Sequence, residues 1–118
     1  MNNREFAEKL EARTLAFAVR IIRLSTALPK SAEANVVKNQ ITKSGTSIGA
    51  NYREANRARS KADFKNKIKI CESEASETNF WLEVMTQAEF IAPEQTASIQ
   101  KECLELLAIF TSIGKGTN

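Results

Sequence analysis

A helix that carries two glycines in its interior has to be packed closely against something. Residues 40–57 read Gln-Ile-Thr-Lys-Ser-Gly-Thr-Ser-Ile-Gly-Ala-Asn-Tyr-Arg-Glu-Ala-Asn-Arg, a helical pattern interrupted by Gly45 and Gly49. Each glycine costs a helix interior about 1 kcal/mol relative to alanine, so both need a compensating contact. Their spacing of four puts them on one face, where another backbone can approach closely. Val37, Ile41, Ser44, Ile48, Asn51 and Ala55 follow at alternating steps of four and three. That seam turns Asn51 toward partner helices, where a buried amide requires hydrogen-bond partners. The rest of the chain is read as supplying those partners.

The chain is long enough at 118 residues for one domain, 1–118, with one substantial core. Two prolines and four glycines leave little turn chemistry for a β-protein. Long runs rich in Ala, Leu, Lys, Glu and Arg predict an all-α fold. The first helix is expected over about 4–28, with Leu10, Thr14, Phe17, Ile21, Leu24 and Leu28 as its seam and Pro29 as its stop. Ser31 caps a second helix over about 32–58, and Ser60 with Asp63 forms a capping box for a third over about 61–90. Phe64, Ile68, Cys71, Ala75, Thr78, Leu82, Met85 and Glu89 make the seam of that third helix. A parallel line through Ile70, Glu74, Glu77, Trp81, Val84 and Ala88 predicts that Glu74 and Glu77 are partly buried. Pro93-Glu94 opens a fourth helix over about 93–113, closed by Gly114, with residues 116–118 as a tail. Four helices of similar length joined by short turns predict an up-down-up-down antiparallel four-helix bundle.

Several function classes drop out. The chain has no histidine, and Cys71 and Cys103 cannot complete a zinc site alone, so no metal and no cofactor are expected. Both cysteines sit at apolar helical positions and read as buried free thiols. Neither a signal-peptide core nor an apolar run of ~20 residues is present, which predicts a cytoplasmic protein with no membrane partner. Ser44, Ser47, Asn51 and Glu54 lie near one another on the second helix, and Glu74 and Glu77 of the third can face them. As an active site the two carboxylates would be an acid/base pair. With no nucleophile, metal set or phosphate loop beside them, a structural polar network fixing helix register is the better reading, and no catalytic residue is expected. Gly45 and Gly49 lack the lysine and strand of a phosphate loop and read as close packing.

Charge is distributed unevenly. Residues 53–69 hold seven cations against Glu54 and Asp63, whereas residues 70–118 hold two lysines against eight glutamates. Arg53, Arg57, Arg59, Lys61, Lys65 and Lys69 gather around the corner between the second and third helices. They read either as a phosphate-contacting patch for RNA or DNA, or as a solvated face that pairs with a neighbouring subunit. No aromatic stacking platform is interleaved among them, Tyr52 being the sole candidate, which argues against base-specific single-strand recognition. Phe80 lies off both third-helix seams, and Leu104 and Leu107 widen the fourth helix, a pattern that favours self-association.

The run from Gln40 to Ala55, Ser60 with Asp63-Phe64, and Glu74-Ala-Ser-Glu-Thr-Asn-Phe-Trp-Leu82 resemble one family. It is the family of bacterial four-helix-bundle proteins first noticed as reading frames inside intervening sequences of 23S ribosomal RNA genes. The accessory variability protein of diversity-generating retroelements is related to it. The resemblance runs from the Leu28-Pro29 turn through the fourth helix. It implies a ring-like homo-oligomer, typically a pentamer, with a role in binding structured RNA or DNA or nucleoprotein partners. Residues and resemblance together give the expectation of a non-enzymatic oligomeric bundle that binds nucleic acid electrostatically. The alternative is an oligomeric scaffold for a protein partner.

Overall fold

In the computed structural model, which describes residues 3–116, the chain forms α1 (Asn3–Ser25), α2 (Ala32–Ala55), α3 (Lys61–Gln87) and α4 (Pro93–Gly116). Thr117 and Asn118 of the expected tail lie outside the described residues. The helices pack in sequence order, α1 on α2, α2 on α3 and α3 on α4, with a thinner α1–α4 seam closing the bundle. Its longest dimension, 44 Å, is that of helices of this length lying side by side at ~1.5 Å per residue. The all-α four-helix architecture read from the seams is the one observed.

The helix starts follow the expected chemistry. Ser31 accepts from the Ala34 amide at 3.1 Å, and Ser60 accepts from Asp63 N–H at 3.0 Å. The Asp63 carboxylate reaches back to the Arg59 amide at 3.3 Å, and Pro93 occupies the first position of α4. The ends differ from expectation. α1, α2 and α3 each stop about a turn early, at Ser25, Ala55 and Gln87. After α1 the amides of Thr26, Ala27 and Leu28 bond three residues back, so the chain tightens before Pro29 while Leu28 stays buried. α4 continues through Gly114 to Gly116, because no glycine takes the positive φ that would end a helix there.

Glu89 takes that conformation instead, with φ at 61°. The Phe90 amide bonds to the Met85 carbonyl at 2.9 Å and the Glu89 amide to that of Thr86 at 3.1 Å, the paired closure of a Schellman turn. Glu89 is therefore an exposed terminator of α3, not the seam residue its spacing suggested. A side chain in the left-handed region costs about 1 kcal/mol, which glycine relieves. Glu89→Gly is thus expected to raise the melting midpoint by about 4 °C in a thermal melt followed by circular dichroism.

The core holds Phe17, Ile21, Ile41, Ile48, Ile68, Leu82, Met85, Leu106 and Phe110. Tyr52 packs edge-on against Phe110 with ring centroids 5.5 Å apart. Cys71 and Cys103 are both free and buried, and burial pushes each thiol up to about 12. Gly45 and Gly49 face α1: a Cβ on Gly45 would lie 2.8 Å from Ile21 Cγ2, and one on Gly49 3.0 Å from Thr14 Oγ1. The expected close helix contact is therefore α2 on α1.

Across the thin α1–α4 seam, Arg13 donates through Nε and Nη2 to the two carboxylate oxygens of Glu102, each at 2.7 Å. This bidentate bond holds the Glu102 carboxyl below its ordinary range. A depressed carboxylate contributes stability above its unfolded pKa and loses it as pH falls through the folded value. Glu102→Gln is expected to cost about 1 kcal/mol at pH 7, discounted for partial exposure, with the difference from wild type closing in acid. Urea unfolding at pH 7 and pH 3 checks both parts.

Candidate nucleic-acid interface

Alternating helix direction brings the start of α1, the end of α2, the start of α3 and the end of α4 to one end of the bundle. Arg57 and Arg59 sit in the connection between α2 and α3, and both are exposed. Lys61, Lys65 and Lys69 follow one turn apart along the same side of α3; Lys61 and Lys69 are exposed and Lys65 is half-buried. Arg53 is also exposed but is drawn toward α1, where its Nε lies 3.8 Å from Glu11. Glu11 further accepts from Asn56 at 2.8 Å, anchoring the end of α2. Among the described residues, Arg57, Arg59, Lys65 and Lys69 make no ion pair. Lys67, between them in sequence, pairs with Glu54 at 3.7 Å.

The topology adds cations that sequence order kept apart. Arg4 and Lys9 of α1 and Lys115 of α4 stand at the same end as the α2–α3 corner. Up-down-up-down packing was the signal that could have found them. Tyr52, the candidate stacking aromatic, is buried against Phe110 and offers no stacking surface. At the α3 N-terminus the Asp63 amide is taken by Ser60 Oγ, and the Asp63 carboxylate turns back to the Arg59 amide, which leaves an acidic group where an anion would approach. What remains for a ligand is a set of long cationic side chains, suited to phosphates and blind to sequence.

The polar residues of the two motifs do not form one buried network. Ser44 is buried, and its hydroxyl lies 2.9 Å from that of Thr78 across the α2–α3 contact. The other five are half-buried or exposed. Ser47 donates to the Lys43 carbonyl at 2.6 Å, and Asn51 is half-buried and donates back to Ser47 O at 2.8 Å. Asn51 thus satisfies its amide on its own helix, because Tyr52 takes the core position. Glu54 is exposed toward Lys67, and Glu77 is exposed and accepts from Trp81 Nε1 at 3.3 Å. Glu74 alone is half-buried as expected; burial first, then the Glu77 charge, push its carboxyl up, opposed by Ser47 and Lys43. Its contribution has the opposite sign to that of Glu102, being present below the ordinary range near 4.5 and lost as pH rises through its raised pKa.

A model described as the 23S rRNA-intervening sequence protein matches residues 8–112. The chain belongs to that family. The match begins inside α1, earlier than the motifs alone indicated. Among solved structures of similar fold is a protein of unknown function of the S23 ribosomal protein family from Bacteroides thetaiotaomicron. It is 45% identical, with a TM-score of 0.83, over 89% of this chain and 97% of that one. No curated protein matches the chain. No helix among the described residues is long and apolar enough to cross a membrane.

Proposed function

We propose that this protein is a non-enzymatic, cytoplasmic homo-oligomer, ring-like and pentameric, that binds structured RNA or DNA through the basic end of its bundle. The observation that carries this is the gathering of Arg57, Arg59, Lys65 and Lys69 at one end, without ion-pair partners among the described residues. The Arg53 and Lys61 side chains flank them. Exposed cations of this kind bind phosphates by displacing counterions, so affinity falls steeply with salt. Self-association is supported by the apolar side chains left on the surface, Leu15, Phe80 and Leu104 among them. The same side chains favour the second reading, an oligomeric scaffold that docks a protein.

Light scattering of the purified protein at low and moderate salt, with absorbance at 260 and 280 nm, tests the proposal. A ring-sized particle that releases nucleic acid as salt rises supports it. A ring free of nucleic acid at every salt concentration moves the reading to the scaffold, and a monomer removes the assembly.

A further inference from the structure

Two apolar faces stand outside the core on opposite sides of the bundle. On α1 and just past its end, Glu8, Ala12, Leu15, Val19, Ile22 and Thr26 repeat at steps of four and three, and all six are exposed. This line lies diametrically opposite the buried line through Leu10, Thr14, Phe17 and Ile21. Its three large members form a ridge, with Leu15 53%, Val19 38% and Ile22 46% exposed. The second face runs over α3 and α4, where Phe80 is 55% and Leu104 46% exposed. Shallow depressions continue along it: one beside Phe80 and Leu107, a second beside Leu104, Leu107 and Ala108, and a third beside Ala97, Leu104 and Ala108. A ridge of branched side chains and a trough floored by alanines are complementary shapes on one molecule.

Charge sets the relative direction. Cross-helix bonds fix the levels: Arg13 meets Glu102, Arg20 meets Ser98, Asn79 meets Gln100, and Glu72 meets Thr111. At these levels the ridge has Glu8 toward the basic end of the bundle and exposed Arg23 toward the other. The trough face has Lys69 toward the basic end, with Glu83 and Glu94 toward the other. Two copies side by side in the same direction bring Glu8 to Lys69 and Arg23 to Glu83 and Glu94. Reversing one copy sets Arg23 against Lys69. Pairing two ridges antiparallel sets Lys9 against Arg23, since these residues share a flank of α1 fourteen positions apart, two heptads.

We infer that the α1 ridge of one copy seats in the α3–α4 trough of a second copy standing in the same direction. This rests on the self-association proposed above and specifies its surfaces. The contact is heterologous, so each copy keeps one ridge and one trough for its neighbours and the assembly closes as a ring if the rotation permits. All basic ends then point to one rim, and a nucleic acid long enough to span several binds with the avidity of the set.

The experiment uses two variants at exposed positions, Leu15→Glu with Val19→Glu on the ridge and Phe80→Glu with Leu104→Glu on the trough. Each is expected to retain helicity by circular dichroism and to scatter as a monomer at concentrations where the wild type assembles. Mixed in equal amounts they are expected to form a particle of two chains, because one intact ridge meets one intact trough and the contact cannot propagate. Wild-type mass in either variant overturns the inference while leaving assembly standing, and a mixture that remains monomeric overturns the heterologous contact. A monomeric wild type overturns this inference together with the assembly on which it rests.

Discussion

Replacing Gly45 with alanine is expected to destabilise the bundle by about 1–2 kcal/mol, although alanine is the better helix former by about 1 kcal/mol. The decision lies with Ile21. A new Cβ would sit 2.8 Å from its Cγ2, 2.9 Å from its Cγ1 and 3.1 Å from its Cβ. The last of these is close to the α1 backbone, so rotating the side chain end does not clear the contact. Ile21 is fully buried and has nowhere to retreat. Either the isoleucine leaves its rotamer or α1 moves away from α2, and with no room to retreat this overpacking costs about 2–3 kcal/mol, the upper part of the usual range, before the propensity gain of about 1 kcal/mol is subtracted. The expected fall in melting midpoint is about 4–8 °C. A double-mutant cycle with Ile21→Ala isolates the contact, because the smaller side chain removes the clash and the double variant should be less damaged than the sum of the singles. An alanine variant as stable as the parent would show that α1 and α2 do not approach this closely.

Reversing Arg53, Arg57 and Lys65 to glutamate together is expected to abolish nucleic-acid binding with helicity unchanged. All three lie at the basic end, and Arg53 and Arg57 are exposed. Each phosphate contact contributes about 0.9 to the slope of log affinity against log salt on a duplex, so losing three lowers that slope by about 2–3. The three new negative charges add repulsion, and at moderate salt the affinity should fall at least ~100-fold. Arg53 is expected to contribute least, since Glu11 already lies 3.8 Å from it. Reversing Lys30, Lys38 and Arg23 at the opposite end is the control, the same change in net charge, which should leave most of the affinity. Fluorescence anisotropy with a labelled duplex at several salt concentrations reads both. Affinity retained by the triple variant would sink the assignment of the interface.

The fold was largely legible because periodic seams, two prolines and two capping serines all pointed to the same four helices. Where the reading failed, local spacing admitted two answers. After Ile48 a step of three leads to Asn51 and a step of four to Tyr52; the aromatic ring wins because it fills the space against Phe110. The Glu89 spacing continued a seam, but the helix had already turned off at Ala88. Distance information was out of reach altogether. Gly45 and Gly49 announced a close neighbour without naming α1, and the two carboxylates of the third-helix motif looked equivalent. Only packing separates a half-buried Glu74 from an exposed Glu77. The basic corner was visible as composition, whereas its enlargement by Lys9 and Lys115 follows from topology.

The two sealed thiols give the molecule an internal clock for its own opening. Cysteine reacts as the thiolate, and Cys71 and Cys103 are fully covered with their thiols pushed up to about 12. An alkylating reagent therefore has to wait for the bundle to part, and its rate under native conditions counts those events. Cys71 points its sulfur at the Ile48 carbonyl of α2, and Cys103 points its sulfur at the Ala75 carbonyl of α3. If α4 detaches by itself, Cys103 is modified while Cys71 stays protected; if the bundle opens as one body, the two are modified in step.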